Sequence, residues 1–109
     1  MTGAFVPYGA YGSTPFAKWQ GSLAHLHSLQ LVARVGKQAL EAKWFPLQLI
    51  DHAILGITNP QKSSFFELPW VTGMKGLENV AGPTVQQACA TSALALQMAA
   101  QEIEAGTAS

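Results

Sequence analysis

The residue with the most distinctive chemistry in this sequence is Cys89, the single cysteine of the chain. It follows residues 83–88, which are typical of a short strand, and precedes an alanine-rich run that predicts a helix. A thiol at the start of a helix lies near free backbone N–H groups and the positive end of the helix dipole, which favour a thiolate. Cys89 is therefore a candidate nucleophile. The alternative is an unreactive, buried small side chain, because alanines flank it.

The histidines and lysines do not form a second candidate site. His25 and His27 are two residues apart and have no carboxylate or thiol nearby in the sequence, so we expect surface or packing roles and no metal site. Lys18 and Lys43 are not next to a glycine-rich loop with the spacing that binds phosphates. We therefore expect no bound nucleotide and no metal.

Carboxylates and aromatic residues add little chemistry. Neither Asp51 nor Glu67 has a second carboxylate beside it that would indicate acid–base hydrolysis of sugars. Aromatic side chains of the kind found here more often belong to a core or an interface than to a ligand platform. We expect an interface role for these aromatic residues: Trp19, Trp44, Trp70, Phe65 and Phe66.

Length and composition limit the class of protein. The 109 residues suit one domain, and 49% of them are hydrophobic while 11% are charged, which is under half the usual charged share. Six basic residues balance six acidic ones, so nothing indicates binding to nucleic acid or to an anionic membrane surface. The sequence shows no secretory signal and no run long enough to span a membrane, and a single cysteine excludes an internal disulfide. We expect a cytoplasmic protein.

The elements that would position Cys89 alternate between strands and helices. This alternation predicts an α/β fold with a mixed or parallel sheet. The clearest helix has apolar residues at three-and-four spacing on one face, from Leu29 to Leu40. The predicted elements are a strand over 4–11 that ends near Gly9, an irregular segment over 12–27, a helix over 28–43 capped by Ser28, a strand over 50–57, a helix over 68–75 with Gly76 as its C-cap, a strand over 83–88, and a helix that begins after Cys89, continues to about Glu104 and is ended by Gly106.

The helix that follows Cys89 is unusual because its first three turns are apolar nearly all round. Such a helix is normally buried on every side. The other predicted elements can cover only one side of it. We therefore expect a second polypeptide, or further copies of the chain, to cover this central helix and the exposed edge of the sheet.

Three segments, in order along the chain, resemble the thiolase family. Residues 14–23 (TPFAKWQGSL) are similar to the family's RTPFG(K/R)xxGxL segment, residues 51–56 (DHAILG) to its DxVILG strand, and residues 85–93 (VQQACATSA) to its VNxxCxSG block around the reactive cysteine. The resemblance covers nearly the whole chain. It implies that residues 1–109 are part of the amino-terminal domain of the layered thiolase fold.

The resemblance also implies an activity. Thiolases transfer an acyl group between a 3-ketoacyl-CoA and CoA, by thiolytic cleavage or by Claisen condensation, without a permanently bound cofactor. Cys89 would accept the acyl group, and its backbone N–H would contribute one oxyanion donor. Ser13, Ala90 and Ala93 depart from the arginine and glycines common in the family, which suggests a divergent branch such as the sterol-carrier-type thiolases.

The family's later histidine block and second cysteine motif have no counterpart in these 109 residues. We therefore expect a second polypeptide to supply them, giving a hetero-oligomer with a composite active site in lipid metabolism.

Two alternatives stay open. The chain could be a non-catalytic scaffold with a thiolase-like fold, or a ketoacyl synthase of the wider superfamily, although the latter would not normally carry the TPFAKW segment.

Overall fold

The computed structural model describes residues 3–43, 45–59, 67–74, 77 and 79–109. Helices and short parallel strands alternate among these residues, in agreement with the predicted α/β class. The elements are α1 (Ser28–Ala42), β1 (Leu55–Gly56), α2 (Glu67–Met74), β2 (Thr84–Val85) and α3 (Thr91–Glu104), with turns of 3₁₀ helix at Leu47–Leu49 and Ala88–Ala90.

The two strands run parallel, with Leu55 opposite Thr84 and Gly56 opposite Val85. Both strands are much shorter than the predicted ranges, 50–57 and 83–88. An isolated bridge between His52 and Ala81 shows that the two segments of the chain already run side by side before the regular pairing begins.

Pro83 explains why the ladder is interrupted between this bridge and the strands. The N–H groups of Ala53 and Leu55 donate to the carbonyls of Ala81 and Pro83, both at 3.1 Å, so one strand bonds regularly to the other. Proline has no N–H, so Pro83 cannot return a hydrogen bond to the first strand. The prediction of parallel strands is therefore confirmed, and their predicted length is wrong.

The core lies between α1, α2 and the sheet. Leu29, which is 1% exposed, packs with Ala33 and Val71, and the half-buried Leu55 and Ile57 lie against this cluster. The predicted apolar face of α1 is therefore confirmed at Leu29 and Ala33, whereas Ala39, predicted on the same face, is exposed. Val32, predicted on the same face, is exposed, because it lies at the side of the contact and borders an open pocket of about 220 Å³.

The first turn of α1 is capped by His27, not by Ser28 as predicted. The Nδ1 atom of His27 accepts a hydrogen bond from the N–H of Leu29 at 3.2 Å, while Ser28 is already the first helical residue. A ring nitrogen thus takes the place that serine or aspartate oxygens usually fill at a helix start.

Helix α2 confirms the predicted helix with Pro69 in its first turn. Two residues of this helix, Leu68 and Val71, have buried side chains. The hydroxyl of Thr72 donates to the carbonyl of Leu68 at 3.3 Å. The predicted cap at Gly76 lies outside the described residues, as do Trp44, Phe65 and Phe66 and the side chain of Trp70.

A threonine of β2 connects the sheet to the start of α2. The N–H of Leu68 donates to the Thr84 hydroxyl at 2.9 Å, across 16 residues of sequence. We expect Thr84→Val to lower the free energy of unfolding by about 1–2 kcal/mol, because the buried N–H of Leu68 loses its acceptor. Urea unfolding measures this loss. Thr84→Ser keeps the oxygen and is the control, so an equal loss in both variants would contradict the explanation.

The predicted first strand, over residues 4–11, is wrong. Residues 3–7 carry no regular structure, and the N–H of Ala10 donates to the carbonyl of Pro7 at 3.0 Å, closing a turn around Tyr8 and Gly9. Gly9 has φ +80°, a conformation that glycine adopts readily. The turn bends the segment where a strand would have to continue, and the irregular structure predicted from residue 12 to residue 27 is confirmed.

Helix α3 ends as predicted. Gly106 has φ +79° and its N–H donates to the carbonyl of Ile103 at 3.1 Å, which is typical of a glycine C-cap. Burial on every side is not observed within these residues, since Thr91 is the one buried residue of α3 and Leu96 is 61% exposed. The covering polypeptide stays a prediction.

None of the described helices is long and apolar enough to cross a membrane.

Candidate active site

Cys89 lies in the middle of the 3₁₀ turn that connects β2 to α3, and its side chain is exposed. The turn begins three residues after β2 ends and passes directly into α3. This is the strand-to-helix position expected from the sequence. The first N–H groups of a helix have no partner within the helix, so an anion that forms near this turn would meet hydrogen-bond donors.

The backbone before Cys89 makes a sharp bend. Gln87 has φ −148° and ψ 47°, and Ala88 has φ +47°. A residue with a side chain rarely adopts positive φ, and holding it there costs on the order of 1 kcal/mol or more. Contacts around the bend must therefore stabilise it.

Thr91, which is 4% exposed, supplies two of these contacts. Its hydroxyl accepts a hydrogen bond from the N–H of Gln87 at 2.8 Å and donates to the carbonyl of Ala88 at 2.7 Å. The N–H of Ala90 also donates to the carbonyl of Gln87 at 3.0 Å. The bend is thus closed by bonds on both sides of Ala88, next to the thiol.

The end of β1 packs directly against this bend. A Cβ placed on Gly56 would lie 2.7 Å from the methyl carbon of Thr91, closer than real side chains approach each other. Two residues after Gly56, the carbonyl of Thr58 accepts a hydrogen bond from the side-chain amide of Gln86 at 2.6 Å. Both contacts fix the Cys89 turn against the first strand.

An open pocket of about 320 Å³ lies beside the thiol. Its walls are the end of β1, at Gly56 and Thr58, the turn at Cys89, and the first turns of α3, at Ser92 and Ala95. It lies at the carboxyl ends of two parallel strands, where open α/β sheets commonly bind their ligands. An acyl group entering this pocket would reach the sulfur.

A comparison with protein families agrees with this arrangement. The family described as thiolase, N-terminal domain, matches residues 10–109. The chain belongs to the thiolase family. A comparison with curated proteins finds no match. The family match over residues 10–109 confirms the thiolase resemblance predicted from the sequence over nearly the whole chain.

Two of the three thiolase-like blocks come together in the structure. Gly56, the last residue of the 51–56 block, lies in the pocket beside Cys89 of the 85–93 block. The 14–23 block lines a separate open pocket of about 790 Å³, which shares no residue with the first. Trp19 of that block is 84% exposed. The structure does not bring this segment to the thiol.

The first residues of the 51–56 block lie at the opposite end of the strand from Cys89. The hydroxyl and N–H of Ser109 donate to Oδ2 of Asp51 at 2.7 and 3.1 Å, and the hydroxyl bond is the main reason why the pKa of this carboxyl is lowered. Nε2 of His52 is buried and has no hydrogen-bond partner among the described residues. Neither side chain lines the pocket beside the thiol.

The described part of this thiolase chain contains no group of three or more histidine, cysteine, aspartate or glutamate residues that could hold a metal ion. His25 is exposed, and His27 is used as the cap of α1.

The sequence predicts Cys89 as a candidate nucleophile but gives no role to the residues that shape its turn. The sequence places Thr91 and Gln86 within the cysteine block, and the structure shows that their side chains hold the turn. A signal was present for Thr91, because threonine in the first turn of a helix often bonds to backbone groups three or four residues earlier.

Proposed function

We propose that this chain provides the nucleophilic half of a thiolase active site, with Cys89 as the residue that accepts the acyl group. One observation carries the proposal: an exposed thiol lies in the turn between β2 and α3 and borders an open pocket. Thiolases are acyltransferases that use CoA thioesters, so the substrate class follows from the family.

The proposed reaction has two halves. The Cys89 thiolate attacks the thioester carbonyl carbon of an acyl-CoA in condensation, or the 3-keto carbon of a 3-ketoacyl-CoA in thiolysis. The backbone N–H of Cys89 donates to the oxyanion of the tetrahedral intermediate. That intermediate collapses to an acyl thioester on Cys89. The leaving group is CoA thiolate in condensation, or the α-carbanion of a shorter acyl-CoA in thiolysis, and it takes up a proton. The second half returns the acyl group to CoA or to a carbanion and frees the thiolate.

Groups outside the described residues must complete the site. No described residue that lines the pocket carries a carboxylate, an imidazole or an amine, so a base that activates the thiol or handles the substrate's α-carbon has to come from elsewhere. We propose that a second polypeptide with the family's histidine and second cysteine motifs supplies these groups in a hetero-oligomer. Exposed Leu96 on α3 and exposed Trp19 support a covering partner.

Intact mass spectrometry tests the proposal directly. The protein, purified with any polypeptide that accompanies it, is incubated with acetyl-CoA, denatured and weighed. We expect this chain to gain one acetyl group, released by hydroxylamine, because the adduct is a thioester. Prior treatment with iodoacetamide should prevent the gain. If a second polypeptide is present and this chain stays unmodified, the proposal is wrong and the scaffold function is favoured.

A further inference from the structure

We propose that Thr91 is a positioning residue for Cys89, and that Gly56 is required because it receives the methyl group of Thr91. This inference rests on the proposed nucleophilic role of Cys89. Thr91 would act on the thiol only through the backbone of the turn, since its hydroxyl bonds to Gln87 and Ala88.

The turn before Cys89 has a strained backbone. Ala88 holds φ +47°, which an L-residue adopts at a cost, and it immediately precedes Cys89. The hydroxyl of Thr91 accepts a hydrogen bond from the N–H of Gln87, the residue before Ala88, at 2.8 Å. It also donates to the carbonyl of Ala88 itself at 2.7 Å. Without these bonds the turn would relax toward negative φ. The direction of the following Cα–Cβ bond, and with it the sulfur, would change.

The two hydrogen bonds of the Thr91 hydroxyl also fix the side-chain rotamer of Thr91. One hydroxyl can make both bonds only if the methyl group points toward β1, where Gly56 leaves room for it. A Cβ on Gly56 would lie 2.7 Å from this methyl, whereas its next nearest atoms, the backbone oxygen and carbon of Thr91, would be at 3.6 and 3.8 Å. The methyl is therefore the one close obstacle, and removing it makes room for alanine.

A matched pair of variants tests the hydroxyl. Thr91→Val keeps the shape and loses both hydrogen bonds, while Thr91→Ser keeps both bonds and loses the methyl. We expect acylation of Cys89 by acetyl-CoA to be about 10- to 100-fold slower in Thr91→Val, because small displacements of a nucleophile have effects of this size. Thr91→Ser should stay within about threefold of the wild-type protein. Alkylation by iodoacetamide, which needs little orientation, should change much less than acylation.

The Gly56 contact is tested by a rescue experiment. Gly56→Ala should slow acylation about as much as Thr91→Val, and adding Thr91→Ser should restore the rate to within about threefold of Thr91→Ser alone. Rescue by Thr91→Ser would show that the effect of Gly56→Ala arises from the contact with the Thr91 methyl group. Gly73→Ala, in an exposed position of α2 with no atom near the added Cβ, is the control for the substitution itself.

Hydrogen exchange separates this inference from the proposed function. The Gln87 amide should be protected in the wild-type protein and in Thr91→Ser, and should exchange faster in Thr91→Val and Gly56→Ala. If the wild-type protein is not acylated, the proposed function fails, and the exchange of Gln87 still decides whether Thr91 holds the turn. Equal exchange in all variants, or equal acylation of Thr91→Val and wild type, overturns the positioning role.

Discussion

Replacing Cys89 by serine should abolish formation of the acyl adduct and reduce acyl transfer by at least about a thousandfold, while the fold is retained. A serine hydroxyl is a weak nucleophile unless a base activates it, whereas a thiol is partly ionised and intrinsically reactive near neutral pH. Loss of a covalent nucleophile commonly removes several orders of magnitude in rate. The side chain is exposed, so the change should leave the core intact.

Two measurements check this prediction. Intact mass after incubation with acetyl-CoA reports the adduct, and circular dichroism reports the fold. Ser92→Ala is a suitable control, because Ser92 lines the same pocket and its replacement leaves the thiol in place. We expect the control to be acylated. An adduct of undiminished yield on the Cys89→Ser variant would show that another side chain accepts the acyl group.

The sequence was sufficient to predict the elements that have strong local signals. The three-and-four spacing in α1, the proline in the first turn of α2 and the glycine after α3 each indicate a helix boundary or face through the chain's own geometry. The position of Cys89 between a strand and a helix followed from the change of pattern at residues 88–91. These features depend on neighbours in sequence, so they are visible in it.

Features that depend on partners in space were less predictable. The residues before Gly9 include good strand formers, yet they bend at Pro7 and pair with no strand among the described residues. The parallel pairing of β1 with β2 is short because Pro83 lacks a donor at the point where the return bond is needed. Nothing in the local pattern of either segment reveals which carbonyl it will face.

The candidate site likewise combines a feature that is visible in the local sequence with one that depends on contacts in space. Its proposed nucleophile, Cys89, is predicted from residue type and from the family's motif, but the role of Thr91 depends on a positive φ at Ala88 and on a glycine 35 positions earlier. Contacts of this kind connect residues that have no periodic relation in the sequence. The structure shows that the 51–56 block contributes to the site through the space at Gly56, and not through its aspartate.

Replacing Gly82 by alanine should be the most destabilising single methyl addition in the described part of the chain. Gly82 has φ +157° and lies between Ala81 and Pro83, where the two parallel segments meet. A Cβ at this position would overlap the carbonyl oxygen of Ala53 and come within 3.0 Å of the Leu68 side chain. Backbone atoms cannot move aside as a flexible side chain can. We expect a loss of at least roughly 3 kcal/mol in the free energy of unfolding.

The loss should appear both in urea unfolding and at the distant thiol. Separating the segment that contains Ala53 from the segment that contains Gly82 would also shift β1 against β2, and with them Gly56 against Thr91. Acylation of Cys89 should therefore fall in Gly82→Ala even under conditions where the protein stays folded. Gly73→Ala adds the same methyl to an exposed helical position and should be neutral or stabilising by about 0.5–1 kcal/mol. Equal stability of the two variants would mean that the parallel segments do not approach each other as closely as Gly82 allows.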